Sequence, residues 1–401
     1  MLNSPMTASP TLPKLLYAVD FPPANQGGGD TLMLRLLQDY PPDSLFIFCA
    51  ASRRQDLAEG PFHARPKTLF PEISGRQNRF VVHACMSLNR LLIPVLALAL
   101  LRVIRKWKPT VILSIAHGYY FLAATLAARW AGVPLILIVH DDWVPMNRHV
   151  RIFRRFARPL FGWALRHAAH VYAVCGAMQA HLKEEYGIDS ELQYAATSPN
   201  PYATAPHEGN GLPIRIVFTG SVYPSVSQSV GLVVRALHEF EHNAELHLYS
   251  KISQQNLHTL GWDVDHVRSH GWIPQVEVQR VLAQADILFL PLSFDLRDGY
   301  SAKTSFPSKF ADYLAAGRPI LLVAPADSPV AAYAQATRCA DVVSEPSERA
   351  IVEALQRLVA SPAYAAQLAR IAGKVFLRNH DIQEQRRLFQ EVLCRLQSSA
   401  C

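Results

Sequence analysis

The sequence predicts an α/β protein of two doubly wound domains whose parallel sheets face one another across a cleft. Three observations predict it: a length of 401 residues, short apolar β-branched runs alternating with longer helical patterns, and a proline- and glycine-rich stretch near the midpoint. Single cores stop growing at about 250–300 residues, so a chain of this length divides. Half of the residues are apolar and 18% are charged, a globular composition with no room for a long disordered region.

The strand candidates are KLLYAVD, SLFIFCA, TVILSIA, PLILIVH and HVYAVC in the first half, then IRIVFTG, ELHLYS, HVRSHGW, DILFLPL and PILLVA in the second. Between them, Tyr119–Ala131, Met178–Tyr186, Val230–Glu241 and Val276–Ala283 have helical length and period. Strands that alternate with helices predict parallel sheets covered on both faces. The stretch Ala195–Pro213 carries Pro199, Pro201, Pro206, Pro213, Gly209 and Gly211, and is the natural linker. It divides the chain into a first domain, 1–205, and a second, 206–375; beyond Glu345 the pattern is helical to the end. Ligands of doubly wound domains bind beyond the carboxyl ends of the strands, here in the cleft.

The net charge of +7 is one-sided: residues 1–205 hold 21 Lys+Arg against 13 Asp+Glu, and the remainder 18 against 19. No acid occurs between Glu72 and Asp141 or between Asp142 and Glu184, stretches that carry Arg102, Arg105, Arg151, Arg154 and Arg155 among others. Such a field suits a polyanionic partner such as an anionic membrane surface or a lipid diphosphate. No recognisable nucleic-acid module is present, which argues against nucleic acid. The run Leu91–Leu101 is flanked by Arg90 and Arg102, and six arginines fall between 148 and 166 among aromatics. Both suit a helix lying in a membrane interface, although the first is equally consistent with an ordinary buried helix. Eleven apolar residues do not cross a bilayer, which needs about 20. The six cysteines are scattered without a C-x-x-C pair, and the first residues lack a basic start followed by an apolar run. These features predict a cytoplasmic protein, soluble or peripheral on the inner face of the cell membrane, without a zinc site.

Several residues stand where chemistry is expected. The first strand runs into Gly27, Gly28 and Gly29, which lets backbone N–H groups approach a ligand at a helix N-terminus, although the spacing is neither G-x-G-x-x-G nor a P-loop. His140, followed by Asp141 and Asp142, ends one strand, and His117 ends the preceding one. In the second half, ADILFLPLSFDLRDGYSAKTSFPSKFADYLAAGRPILL is the most informative stretch: after a polar loop, Pro307, Ser308 and Lys309 open a helix, with Ser305 or Pro307 and Ser308 as its cap. A cation in the first turn opposes the helix dipole unless an anion such as a diphosphate is held there. Asp312 stands one turn on, where it can accept from ribose hydroxyls or simply pair with Lys309.

These residues give the chain a resemblance to the GT-B glycosyltransferases, specifically glycosyltransferase family 4. It rests on the 284–322 segment, the glycine-rich turn, V-H-D at 139–141 and R-H-A-A-H-V-Y-A-V-C at 166–175. The resemblance implies two Rossmann-like domains and a final segment, 376–401, that crosses back onto the first. It implies transfer of a sugar from a nucleotide-sugar donor to a lipid-linked or saccharide acceptor, in cell-surface polysaccharide or glycolipid assembly, with retention and with no metal or other cofactor. His140 and Asp141 would be catalytic, His140 contacting the transferred sugar. Gly27, Gly28 and Gly29 would serve the donor phosphate or acceptor, Lys309 the diphosphate and Asp312 the ribose. Gly220, Ser221, Lys251, Thr304 and Ser308 complete the implied donor-binding set, and Arg102, Arg105, Arg151, Arg154 and Arg155 would face acceptor or membrane. The sequence departs from the family pattern in two places. The family's paired glutamates, eight positions apart, fall on Thr304 and Asp312, and its usual Arg and Lys would fall in TGSVYPSVSQS, which has neither. A nucleotide-sugar epimerase on the same scaffold, or a catalytically idle partner subunit, are the alternatives.

Overall fold

The computed structural model describes residues 12–20, 22–24, 28–49, 63–66, 88, 90–146, 154–203, 213–222, 224–262, 265–295, 303–304 and 306–399. It contains two parallel sheets. The first comprises β1 (Leu15–Val19), β2 (Leu45–Cys49), β3 (His63–Pro66), β4 (Val111–Ile115), β5 (Leu135–Val139), β6 (His170–Ala173) and β7 (Glu191–Leu192), in the order β3-β2-β1-β4-β5-β6-β7. The second comprises β8 (Ile214–Thr219), β9 (Ala244–Tyr249), β10 (Val267–Ser269), β11 (Ile287–Pro291), β12 (Ile320–Val323) and β13 (Asp341–Val343), in the order β10-β9-β8-β11-β12-β13. The ten apolar runs all form strands. The edge strands β3, β7 and β13 carry no such run and are added by their pairing to β2, β6 and β12.

The central strands of both sheets bury both faces, and alternate residues serve different cores. Leu15, Tyr17, Val19, Ile47 and Leu113 face Met33, Leu36 and Leu37 of the helix Gly28–Leu37 and Phe389, Val392 and Leu393 of the last helix, Ile382–Ser399. Leu16, Ala18, Ile112, Leu135 and Leu137 face the helices Ile93–Trp107, Tyr120–Ala131 and Arg154–His167. In the second sheet Ile216, Leu246, Leu248 and Phe289 pack against the helices Pro224–Glu239 and Glu348–Ala360. Burial of this kind stabilises by about 25 cal/mol per Å² of apolar surface.

The chain crosses between domains twice, and the crossings are bonded to each other. Thr197 bridges Asp381, with the Thr197 N–H donating to His380 O at 3.0 Å and the Ile382 N–H to Thr197 O at 3.0 Å. A π-helical turn, Phe376–His380, precedes that bridge. His380 is fully buried there; its Nδ1 lies 2.7 Å from the Ala195 carbonyl and its Nε2 3.1 Å from Tyr333 Oη. Burial pushes its pKa down to about 4, so the ring is neutral and both contacts are ordinary hydrogen bonds. The rings of Tyr194, Phe306 and Tyr333 surround it. A fully satisfied polar group inside an aromatic cage fixes the path of the crossing segments.

Candidate functional site

In both sheets the strands run parallel, so their carboxyl ends gather the polar residues. β5 delivers His140 directly after Val139. The helix Gly28–Leu37 abuts it: a Cβ on Gly29 would stand 2.9 Å from His140 Nδ1, so only glycine permits this approach without displacing the ring. Gly28 adopts φ +60° with nothing near its missing side chain, and Gly27 lies outside the described residues. Burial pushes the His140 pKa down to about 4, with Asp141 opposing and His117 adding to the effect. The imidazole is therefore neutral near pH 7 and presents one N–H and one lone pair, which suits a sugar hydroxyl.

The neighbouring acids divide their work. Asp141 is half-buried beside His140. Asp142 is buried; its Oδ1 accepts from the Val144 N–H at 3.1 Å and its Oδ2 lies 3.2 Å from His181 Nε2. The Asp142 carboxylate is the main cause of the raised His181 pKa, so the pair ties the β5 loop to the helix Gly176–Tyr186. Asp20, at the end of β1, is buried and accepts from the N–H groups of Tyr119 and Tyr120, which otherwise lack intrahelical partners at a helix start. These two acids organise the first domain's rim.

Across the cleft, β8 ends at Thr219, whose N–H donates to Tyr313 Oη at 3.0 Å. That bond holds the short helix Lys309–Leu314 against the strand. Gly220 follows at φ +123°, and a Cβ on it would lie 2.5 Å from Lys309 Nζ. The ammonium sits 4.4 Å from the centroid of the Phe218 ring, and burial pushes its pKa down to about 8. Among the described residues no carboxylate pairs with it. A partly desolvated cation held by a ring face and a glycine has an unmet need for an anion. Ser308 precedes this helix but makes no side-chain capping bond, contrary to the cap the sequence suggests, and Ser305 lies outside the described residues.

The predicted Lys309–Asp312 alternative does not form. Asp312 instead accepts from Arg35 of the first domain, at 3.0 Å. Arg35 is the functional candidate that sequence reasoning missed; its only signal is a single charge within LMLRLL, an otherwise apolar stretch. Thr304 is buried, and its carbonyl accepts from Cys175 Sγ at 3.5 Å. Ser221 and Lys251 are exposed just past the ends of β8 and β9, and Lys303 pairs with Asp327 at 3.6 Å. Trp272, 60% exposed, follows Gly271 just past the end of β10.

The basic residues of the first domain line its outer helices. Arg102, Arg105 and Arg155 are exposed; of Arg154 only its place in a helix is described, and Arg151 lies outside the described residues. On the helix Ile93–Trp107 the face that turns Leu96, Leu100 and Val103 inward leaves Val95 and Leu98 outward, with Leu91 in the preceding turn. No helix among the described residues is long and apolar enough to cross a membrane, and no group of three or more His, Cys, Asp or Glu among them is placed to hold a metal ion.

Two parallel doubly wound domains with facing strand ends and a crossed-back terminal helix define the GT-B architecture. The sequence matches the family Glycosyltransferase Family 4 over residues 46–194 and Glycosyl transferases group 1 over 213–361. The chain thus belongs to the glycosyltransferases of the family-4 kind, which transfer a sugar from a nucleotide-sugar donor. No curated protein is significantly similar in sequence. Among solved structures it is similar to HepE from Anabaena in complex with UDP, at 15% identity and a TM-score of 0.70, covering 95% of this chain and 100% of that one. The same protein with UDP-glucose aligns at 14% and 0.67, covering 96% and 100%. Sucrose-phosphate synthase from Thermosynechococcus elongatus aligns at 13% and 0.68, again covering 96% and 100%. At such identities the likeness is one of fold.

Proposed function

We propose that this protein transfers a hexosyl group from a UDP-sugar to a lipid-linked or saccharide acceptor in cell-surface polysaccharide or glycolipid assembly, with retention of configuration. The observation that carries this reading is Lys309, a half-buried lysine whose ammonium lies beside Gly220 with no carboxylate paired to it among the described residues. A diphosphate there satisfies the cation, and Lys309 rather than a metal ion neutralises the leaving group. HepE, which shares the fold, binds UDP and UDP-glucose. In this reading the bond between the anomeric carbon and the diphosphate oxygen breaks while the acceptor oxygen bonds the same carbon from the same face. The acceptor's proton passes to the departing diphosphate. Neutral His140 hydrogen-bonds the sugar, Asp141 holds that imidazole's environment, and Asp312 takes the ribose. Stabilising the developing diphosphate charge in a preorganised site is the main catalytic effect.

The membrane reading rests on the outer face of the first domain. Leu91, Val95 and Leu98 are 63%, 45% and 47% exposed along one side of a helix, and Arg102 and Arg105 continue that side. Phe156, 58% exposed, stands beside Arg155 on the helix Arg154–His167. An apolar stripe flanked by cations fits the interface of an anionic bilayer, where each Lys or Arg near the surface adds about 1 kcal/mol. The acceptor would be presented there.

A second reading, a catalytically idle nucleotide-sugar-binding subunit, is favoured by Thr304, which puts no carboxylate where the family places one. A panel of UDP- and GDP-sugars with membrane extract separates the readings. Transfer or donor hydrolysis supports the enzyme, epimerised donor supports an epimerase, and binding without turnover supports the idle subunit.

A further inference from the structure

Arg35 joins four segments at the cleft. It stands in the last turn of the helix Gly28–Leu37, and its Nη2 donates to Asp312 Oδ1 at 3.0 Å and Oδ2 at 3.4 Å. Its Nη1 donates to the Ala196 carbonyl at 3.1 Å, in the segment that crosses to the second domain. Its own carbonyl accepts from Arg386 Nε at 2.9 Å, on the helix that crosses back. Arg386 also pairs with Asp39, so the returning helix grips the end of Arg35's helix from the other side. The Arg35 and Asp312 side chains are only 15% and 11% exposed, which limits solvent screening of the pair.

This network fixes the guanidinium independently of Asp312. The carbonyl of Ala196 and the Arg386 anchor set the direction in which Nη2 points. A carboxylate has about four lone-pair sites, and Arg35 engages it through one nitrogen, so part of its acceptor capacity remains for other donors. Asp312 lies one helical turn from Lys309, so a ligand whose diphosphate meets Lys309 brings its adjoining sugar hydroxyls near that remaining capacity. Because Arg35 belongs to the first domain and Asp312 to the second, the pair forms only when the domains are together.

Resting on the nucleotide-sugar reading above, we propose that Arg35 is a positioning residue that orients Asp312 toward the ribose of the donor and thereby links donor binding to closure of the cleft. Arg35 does not touch the donor. It acts through the Asp312 carboxylate, and by linkage a donor that requires an oriented Asp312 binds the closed arrangement more tightly and favours it.

The test measures UDP affinity by calorimetry in the full chain for wild type, Arg35→Ala, Arg35→Lys, Asp312→Ala and the double variants Arg35→Ala/Asp312→Ala and Arg35→Lys/Asp312→Ala. Arg35→Ala is expected to weaken UDP binding about tenfold, within the span usual for coupled sites. Arg35→Lys, which retains charge and one donor, should fall between. In the Asp312→Ala background, adding Arg35→Ala should change affinity less than about twofold, since the route through Asp312 is gone. In turnover the loss should appear in the donor KM more than in kcat. Wild-type affinity in Arg35→Ala overturns the proposal. So does an equal loss from Arg35→Ala with and without Asp312, which marks a merely structural arginine. If Arg35→Ala does not fold, the comparison of Arg35→Lys in the two Asp312 backgrounds decides in the same way. A wild-type chain that binds neither UDP nor UDP-sugars fails at the donor reading itself, a result distinct from either of these, and the proposal falls with it.

Discussion

Replacing Lys309 with methionine should make the unliganded protein more stable and its nucleotide site nearly useless. The ammonium of half-buried Lys309 lies against Phe218 and Gly220 with its pKa pushed down to about 8 by loss of solvent. From an ordinary lysine value near 10.4, that displacement corresponds to about 3 kcal/mol at 1.36 kcal/mol per tenfold. The sign follows from linkage. The unfolded chain holds the proton more tightly than the folded one, so the cost is fully present below pH 8. It declines between pH 8 and about 10.4 and is absent above that. At pH 7, Lys309→Met keeps the side-chain length, removes the partly desolvated charge and should recover much of the 3 kcal/mol. For a domain of this size that raises the Tm by about 5 °C or more. A charge-assisted contact to phosphate contributes about 1.5–3 kcal/mol, so UDP affinity should fall by about 10- to 150-fold. Thermal unfolding at pH 7 with and without UDP, together with calorimetry, measures both quantities. A variant less stable than wild type, or one that binds UDP with unchanged affinity, refutes the reasoning.

The same lysine predicts a pH dependence: wild-type UDP binding should weaken above pH 8 as the free site loses its proton, and calorimetry from pH 7 to 9.5 would show it. Gly220→Ala places a Cβ 2.5 Å from Lys309 Nζ at φ +123°, so calorimetry should find UDP affinity reduced. Thermal unfolding should show a second domain destabilised by about 1–3 kcal/mol. His140→Ala should lower kcat by about 10²-fold, as for other single hydrogen-bonding groups aimed at a reacting centre. The wild-type profile should show no His140 titration above about pH 5, because the ring stays neutral there. Substituting Leu91, Val95 and Leu98 together with glutamate should abolish cosedimentation with anionic vesicles while leaving UDP affinity unchanged.

Apolar runs such as LILIV and ILFLP declare buried parallel strands because both faces must be covered, and all ten runs are strands in the structure. β7 and β13, of two and three residues, carry too little periodicity to be read; their strand geometry is imposed by neighbours. The Lys309 segment stood out for a similar reason. A lysine in the first turn of a helix conflicts with local electrostatics, and such a conflict points to something beyond local structure. Asp142 read as one more acid of the V-H-D-D run, yet its contact with His181 lies 39 residues away and makes it structural.

What the sequence determined by itself was the α/β class, the two-domain plan, the uneven charge and the positions of His140, Lys309 and Asp312 at strand ends and a helix start. Each of these depends on residues close together in the chain, where periodicity, turn chemistry and charge are read directly. Only the tertiary structure decided what each polar group meets. It gave Asp312 an arginine 277 residues distant rather than its helical neighbour Lys309. It left that lysine over a phenylalanine ring, and it set His140 against Gly29. Partners brought together by chain crossings have no fixed spacing, so no local pattern encodes them.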